Sequence, residues 1–280
     1  MSLRNENGCE NAKKIRLAYG EAELQFGDLR LPDGTGPHPV VIVIHGGFWK
    51  SMFTIDLMEQ VSEDLTKRGL ATWNIEYRRV GDIGGGYPGT LLDVAHAVDF
   101  LREIAPKYHL DLSKAVTLGH SAGGHLAVWQ AARHRLPEGS LLRTSNQPLA
   151  MKGVVSLAGI IDLELMWELI HYKQRMISDV EIENPVADFV GGTPMQVPDR
   201  YKEVSPVALL PLNTPQVLIH GDLDVNVPVK LSSLYKERAE RAGDQLEMIS
   251  LPDVEHFEII DPCSEIWTTI VTKVMKLIHS

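Results

Sequence analysis

The sequence predicts an α/β fold in which a mostly parallel, eight-stranded sheet carries helices on both faces. Two observations predict it. Short, unbroken apolar runs with β-branched residues, such as 40–44, recur along the chain and mark strands buried on both sides. Between them lie longer stretches whose apolar residues fall three and four apart, so strands alternate with helices and the sheet is wound with right-handed crossovers.

The first element departs from that rhythm. Over 15–31 the apolar residues alternate around Gly20, with Leu24, Phe26 and Asp28 on one phase, which reads as an antiparallel hairpin at a sheet edge. After the strand at 40–44 comes a helix with Thr54 as N-cap, an apolar face of Leu57, Met58, Val61 and Leu65, and Gly69 as its stop. The alternation continues with a strand at 71–77, a helix from Thr90 with Asp93 completing a capping box, a strand at 115–118, and a helix from Ala122 to about His134. After a strand at 154–157 the rhythm breaks. Residues 162–210 are too long for a plain connection and are rich in apolar, helix-forming residues, so a small helical cap is expected there. A strand at 216–219, a helix from near Pro228 to Gly243, a strand at 246–251 and a terminal helix from Ser264 complete a single domain, with 1–14 expected to be a flexible tail.

Composition narrows the function classes. A formal net charge of −10 without clustered Lys and Arg argues against nucleic acid or an anionic membrane surface as partner. Cys9 and Cys263 form neither a disulfide framework nor a metal-ligand pattern, and no signal-peptide core or membrane-spanning run is visible, so a cytoplasmic protein without metal or other cofactor is expected. A homodimer is left open.

The chemistry gathers around Gly119-His-Ser-Ala-Gly123, placed between an apolar strand and a helix. That is the setting of a nucleophile elbow, in which glycines make room for a sharp turn and Ser121 is the candidate nucleophile. A serine hydroxyl needs a neutral imidazole to take its proton, and the imidazole needs a carboxylate. Such groups collect at the carboxyl ends of parallel strands, where the chain has His45-Gly-Gly-Phe-Trp49, His220-Gly-Asp-Leu-Asp-Val-Asn-Val-Pro228 and Glu255-His-Phe257. In elbow enzymes the order is nucleophile, acid, base, which leaves His256 and the penultimate His279 downstream; His256 is the candidate base. Asp224 is favoured as the acid because its side chain can point back along the sheet edge, with Asp222, a turn-capping residue in the alternative, two positions away; spacing alone assigns neither. Oxyanion donors are expected from the backbone N–H groups of Gly47, Phe48 and Ala122, while His45 holds the glycine loop and His120 and His125 serve the turn and helix. Phe48, Trp49 and Trp167 are expected to roof an apolar pocket. Arg78 is expected to form a structural ion pair with a carboxylate such as Asp93.

Together the HGGFW loop, the GHSAGG elbow, the HGDLDVNVP segment and the late His256 resemble the α/β-hydrolase superfamily, in its esterase and kynurenine-formamidase-like branch. The resemblance runs from about Val40 onward and implies an α/β-hydrolase fold with a Ser121, Asp224 and His256 triad. Phe48 stands where the hormone-sensitive-lipase pattern has a third glycine, which disfavours bulky tertiary-alcohol esters. The implied activity is hydrolysis of small, largely uncharged carboxylic esters through an acyl-enzyme. An arylformamidase acting on N-formylkynurenine-type amides, and a non-catalytic ligand-binding member of the fold, are the alternatives.

Overall fold

The computed structural model describes residues 13–177 and 183–280. Its sheet contains β1 (Lys14–Ala18), β2 (Phe26–Arg30), β3 (His38–Ile44), β4 (Ala71–Ile75), β5 (Leu110–His120), β6 (Gly153–Leu157), β7 (Gln216–Gly221) and β8 (Leu246–Leu251), in the order β1-β2-β4-β3-β5-β6-β7-β8. The expected hairpin is present: β1 pairs antiparallel with β2, and β2 antiparallel with β4, while every later pairing is parallel. Residues 1–12 of the expected tail, and Cys9 with them, lie outside the described residues, and Lys14 already opens β1.

Nine helices are described: α1 (Glu59–Lys67), α2 (Gly89–Asp99), α3 (Leu101–Tyr108), α4 (Ala122–Ala132), α5 (Leu163–Ile177), α6 (Pro185–Val190), α7 (Pro198–Val204), α8 (Lys230–Ala242) and α9 (Trp267–His279). The period-two geometry of a strand decides which of them share a core. Val40, Ile42 and Ile44 of β3 pack with residues of α2, α3, α4 and α8, whereas Val41 and Val43 face the other way, toward α1 and α9. A strand clothed on both sides must be apolar at every position, as this run is.

Three details differ from the sequence reading. Thr90 is not an N-cap: Pro88 stands at that position, and the Thr90 hydroxyl is taken by the Arg78 carbonyl while accepting from the Gly86 amide at 3.0 Å. Asp93 is therefore free of a capping box and binds the Arg78 guanidinium at 2.7 and 2.8 Å, the structural pair anticipated for it. The strand at 71–77 stops at Ile75, since Glu76 and Tyr77 turn their side chains to the loop after β3. Residues 162–210 carry α5, α6, α7 and a short 3-10 turn at Pro206–Leu209.

The parallel order places the carboxyl ends of β3, β5, β7 and β8 along one edge of the sheet. The loops that leave those ends carry Gly47, Ser121, Asp224 and His256.

Candidate active site

Ser121 occupies the junction of β5 and α4 with φ 56° and ψ −119°, a conformation L-residues adopt at a cost of about 1–3 kcal/mol. The turn is possible because its flanks lack side chains. A Cβ on Gly119 would sit 2.0 Å from the Gly123 carbonyl oxygen, and one on Gly123 would sit 2.1 Å from that of Ile44. The Ser121 amide donates to the Leu157 carbonyl at 2.8 Å, fastening the turn to β6. Ala122 opens α4, so its N–H lies at the helix N-terminus, where the dipole favours negative charge.

Asp224 and His256 meet across the ends of β7 and β8, with His256 Nδ1 donating to Asp224 Oδ2 at 2.6 Å. The other carboxylate oxygen accepts the backbone N–H groups of Asn226 and Val227 at 2.9 and 2.8 Å. Burial alone would raise this carboxyl, but hydrogen bonds from His220, His256 and the Val227 amide hold it well below the usual carboxylate range. Asp222 points elsewhere and binds the Ser250 hydroxyl. The two loops are joined through their backbones as well, by the Asp222 amide to the Leu251 carbonyl at 3.0 Å and the Leu223 amide to the Val254 carbonyl at 3.1 Å. His279 ends α9, outside this cluster.

His120 lies against His256 with ring centroids 4.5 Å apart, and its Nε2 donates to the His256 carbonyl at 2.9 Å. Full burial, and secondarily the neighbouring His256, pushes the His120 imidazole down to about 3, so it stays neutral. Nothing in the spacing of the sequence announces this contact or that of His220, whose Nε2 is 3.2 Å from Asp224 Oδ2. For His220 the only signal was its place at the head of the HGDLD segment.

The glycine loop after β3 is fitted against the elbow. A Cβ on Gly46 would stand 2.6 Å from the His120 carbonyl oxygen and 3.0 Å from Ser121 Cβ, and the next three residues all have positive φ: Gly47 at 107°, Phe48 at 49° and Trp49 at 55°. His45 braces the loop, with Nε2 2.9 Å from the Glu76 carboxylate and its ring stacked 4.4 Å from Tyr77. Trp49 departs from the expected pocket role. It is fully buried, stacks on Phe189 at 4.4 Å, and donates from Nε1 to His125 Nδ1 at 3.2 Å. His125 in turn donates to the Val204 carbonyl at 2.8 Å, so one fully buried ring joins the glycine loop, the elbow helix and the insert.

A cavity of about 560 Å³ lies beside this constellation, walled by Phe48, by Met166, Leu169 and Tyr172 of α5, and by Val225 and Asn226 next to Asp224. Trp167 is absent from that wall and stacks on His171 at 4.9 Å. Among the described residues, no cluster of three or more His, Cys, Asp or Glu is placed to hold a metal ion, and no helix is long and apolar enough to cross a membrane.

Comparison with known proteins places these features in company. A family model described as BD-FAE matches residues 28–238. Esterase LipC of Mycobacterium tuberculosis is 27% identical over 251 residues, covering 88% of this chain and 60% of that protein. The probable isoprenylcysteine alpha-carbonyl methylesterase ICMEL1 of Arabidopsis thaliana is 26% identical over 278 residues, covering 92% and 55%. The chain thus spans less than two thirds of the length of these relatives. Among solved structures, a truncated carbohydrate esterase from gut microbiota superposes with a TM-score of 0.79 at 22% identity, covering 97% of this chain and 99% of that one. Esterase B from Lactobacillus rhamnosis gives 0.80 at 17% identity, covering 98% and 89%, and both share the α/β-hydrolase fold with this chain.

Proposed function

The chain belongs to the BD-FAE family, and from that membership we propose that it is a serine hydrolase of small, largely uncharged carboxylic esters, with Ser121, Asp224 and His256 as its triad. The observation that carries the reading is the 2.6 Å bond from His256 Nδ1 to a carboxylate whose remaining oxygen is held by two amides, with the His256 ring packed on His120, the residue that precedes a serine in a strained elbow. Because Nδ1–H is committed to Asp224, Nε2 is the bare nitrogen of the neutral ring and takes the Ser121 proton as Oγ attacks the ester carbonyl. Asp224 stabilises the imidazolium that results. The negative oxygen of the tetrahedral intermediate is met by the N–H groups of Gly47, Phe48 and Ala122, each worth about 2.7–4 kcal/mol in reactions of this type. Collapse expels the alcohol with the proton from His256, and water repeats the cycle on the acyl-enzyme, releasing the acid and restoring Ser121.

The insert at 162–210 serves as a cap, and the cavity between α5, Phe48 and Val225 supports an apolar acyl or alcohol group. The relatives named for esters favour an ester over an amide. The aromatic walls Phe48 and Tyr172 would also admit an aryl group, which keeps N-formyl aromatic amides as a second substrate class for the same residues. A net charge of −10 speaks against nucleic acid as a partner. Ser121→Ala should lower turnover of p-nitrophenyl acetate by at least about a thousandfold, and a fluorophosphonate should label the wild-type chain at Ser121. A variant as active as wild type rejects the triad; absence of both labelling and turnover in wild type points instead to a binding protein. Assaying N-formylkynurenine beside short acyl esters separates the two substrate classes.

A further inference from the structure

We propose that His220, held in turn by Ser232, is a positioning residue that locks the Asp224 carboxylate in the orientation His256 needs. The inference rests on the triad reading above and adds two residues to it. His220 closes β7 and is fully buried, with Nε2 2.7 Å from the Val227 carbonyl oxygen and 3.2 Å from Asp224 Oδ2. Both neighbours only accept hydrogen bonds, so Nε2 carries the proton and shares it between them. In the neutral ring Nδ1 is then bare, and the group 2.8 Å from it is the Ser232 hydroxyl of α8, which must donate. The two acceptors at Nε2 therefore select one tautomer, and the buried Ser232 hydroxyl of α8 satisfies the bare Nδ1 that results.

The geometry around the acid gives that tautomer a task. Val227 offers its amide to Asp224 Oδ1 and its carbonyl to His220, and His220 reaches back to Asp224 Oδ2. These contacts close a ring through one residue. With the Asn226 amide on Oδ1 and His256 on Oδ2, each oxygen has two donors, and a swing of the carboxylate would break four contacts at once. The His220 proton also helps, with those of His256 and the Val227 amide, to keep this carboxylate ionised despite its burial. Packing alone asks nothing of the kind, because an aliphatic side chain of similar volume could fill the space.

The test compares His220→Leu, His220→Gln and Ser232→Ala in the full chain, with p-nitrophenyl acetate as substrate and Ser121→Ala as control. His220→Leu should lower kcat roughly tenfold, the effect of losing one hydrogen bond to a charged group, with KM changed less than about twofold. Ser232→Ala should produce a smaller loss, also in kcat. Glutamine places an amide N–H within similar reach, so His220→Gln should recover most of the activity. Nitrogen-15 NMR of the wild-type chain should find the His220 ring neutral, protonated at Nε2 and bare at Nδ1; this readout needs no variant to fold. A folded His220→Leu protein with wild-type kcat, a loss appearing only in KM, or a proton on Nδ1 overturns the proposal. Activity retained by Ser121→Ala would instead overturn the triad reading itself, so the two failures are distinct.

Discussion

At the scale of single residues, the two aspartates of the HGDLD segment show how little separates a functional group from a surface one. Asp224 is buried with four donors around it, while Asp222 sits two positions away and binds the Ser250 hydroxyl. On the proposed triad, Asp224→Asn removes the charge that would steady the imidazolium and favours the wrong ring tautomer of His256. It should cost about 10³ to 10⁴ in kcat, while Asp222→Asn should stay within about threefold; steady-state kinetics on a short acyl ester checks both. The candidate residues were legible because glycine-flanked turns and chain order are written in the sequence itself. Their partners were not. Whether His220 reaches Asp224, or His120 the carbonyl of His256, depends on how two loops fold back over the sheet end, and no spacing encodes that. Trp49 shows the converse: the sequence could place an aromatic beside the glycine loop, but its burial against Phe189 and His125 is set by tertiary packing.

At the scale of elements, the strands and helices of the sheet were readable because each has a single periodicity to satisfy. Where a side chain had two suitors the reading failed, as at Thr90, whose hydroxyl is captured by the Arg78 carbonyl instead of capping a helix. The insert was legible as an interruption but not as a set of contacts. It is anchored where Phe189 of α6 stacks on Trp49 and where the Val204 carbonyl of α7 accepts from His125. Trp49→Phe should keep the stack and lose one hydrogen bond, for about 1 kcal/mol, whereas Trp49→Ala should cost about 3–5 kcal/mol by leaving a void between loop and insert. Urea unfolding measures both, and on the proposed oxyanion role of the Gly47 and Phe48 amides kcat should fall with Trp49→Ala, which removes their support.

At the scale of the whole molecule, acid resistance is limited by two histidines that burial keeps neutral. Burial holds His120 down to about 3 and His125 down to about 4, and unfolding returns each ring to about 6.5. Between those limits the unfolded chain binds more protons than the folded one. Their contribution is whole above pH 6.5 and drains away as pH falls toward 4, by about 1.4 kcal/mol per pH unit for each ring. At lower pH the depressed carboxyls of Asp224, Glu76 and Asp99 lose their own share in the same direction. Urea midpoints taken from pH 7.5 to 4.5 should decline steadily, and His125→Gln should flatten the slope by about half; a midpoint level across that range contradicts the two low values. The sheet order carries a different kind of limit. β8 is one of the two edge strands, bonded to β7 alone, with most of its residues half-exposed, and His256 follows its end. Strands in that position are the first to fray. Heating should therefore silence the protein while its centre is still folded, and a search for a hardier variant belongs at the seam between the last two strands, far from the well-packed middle.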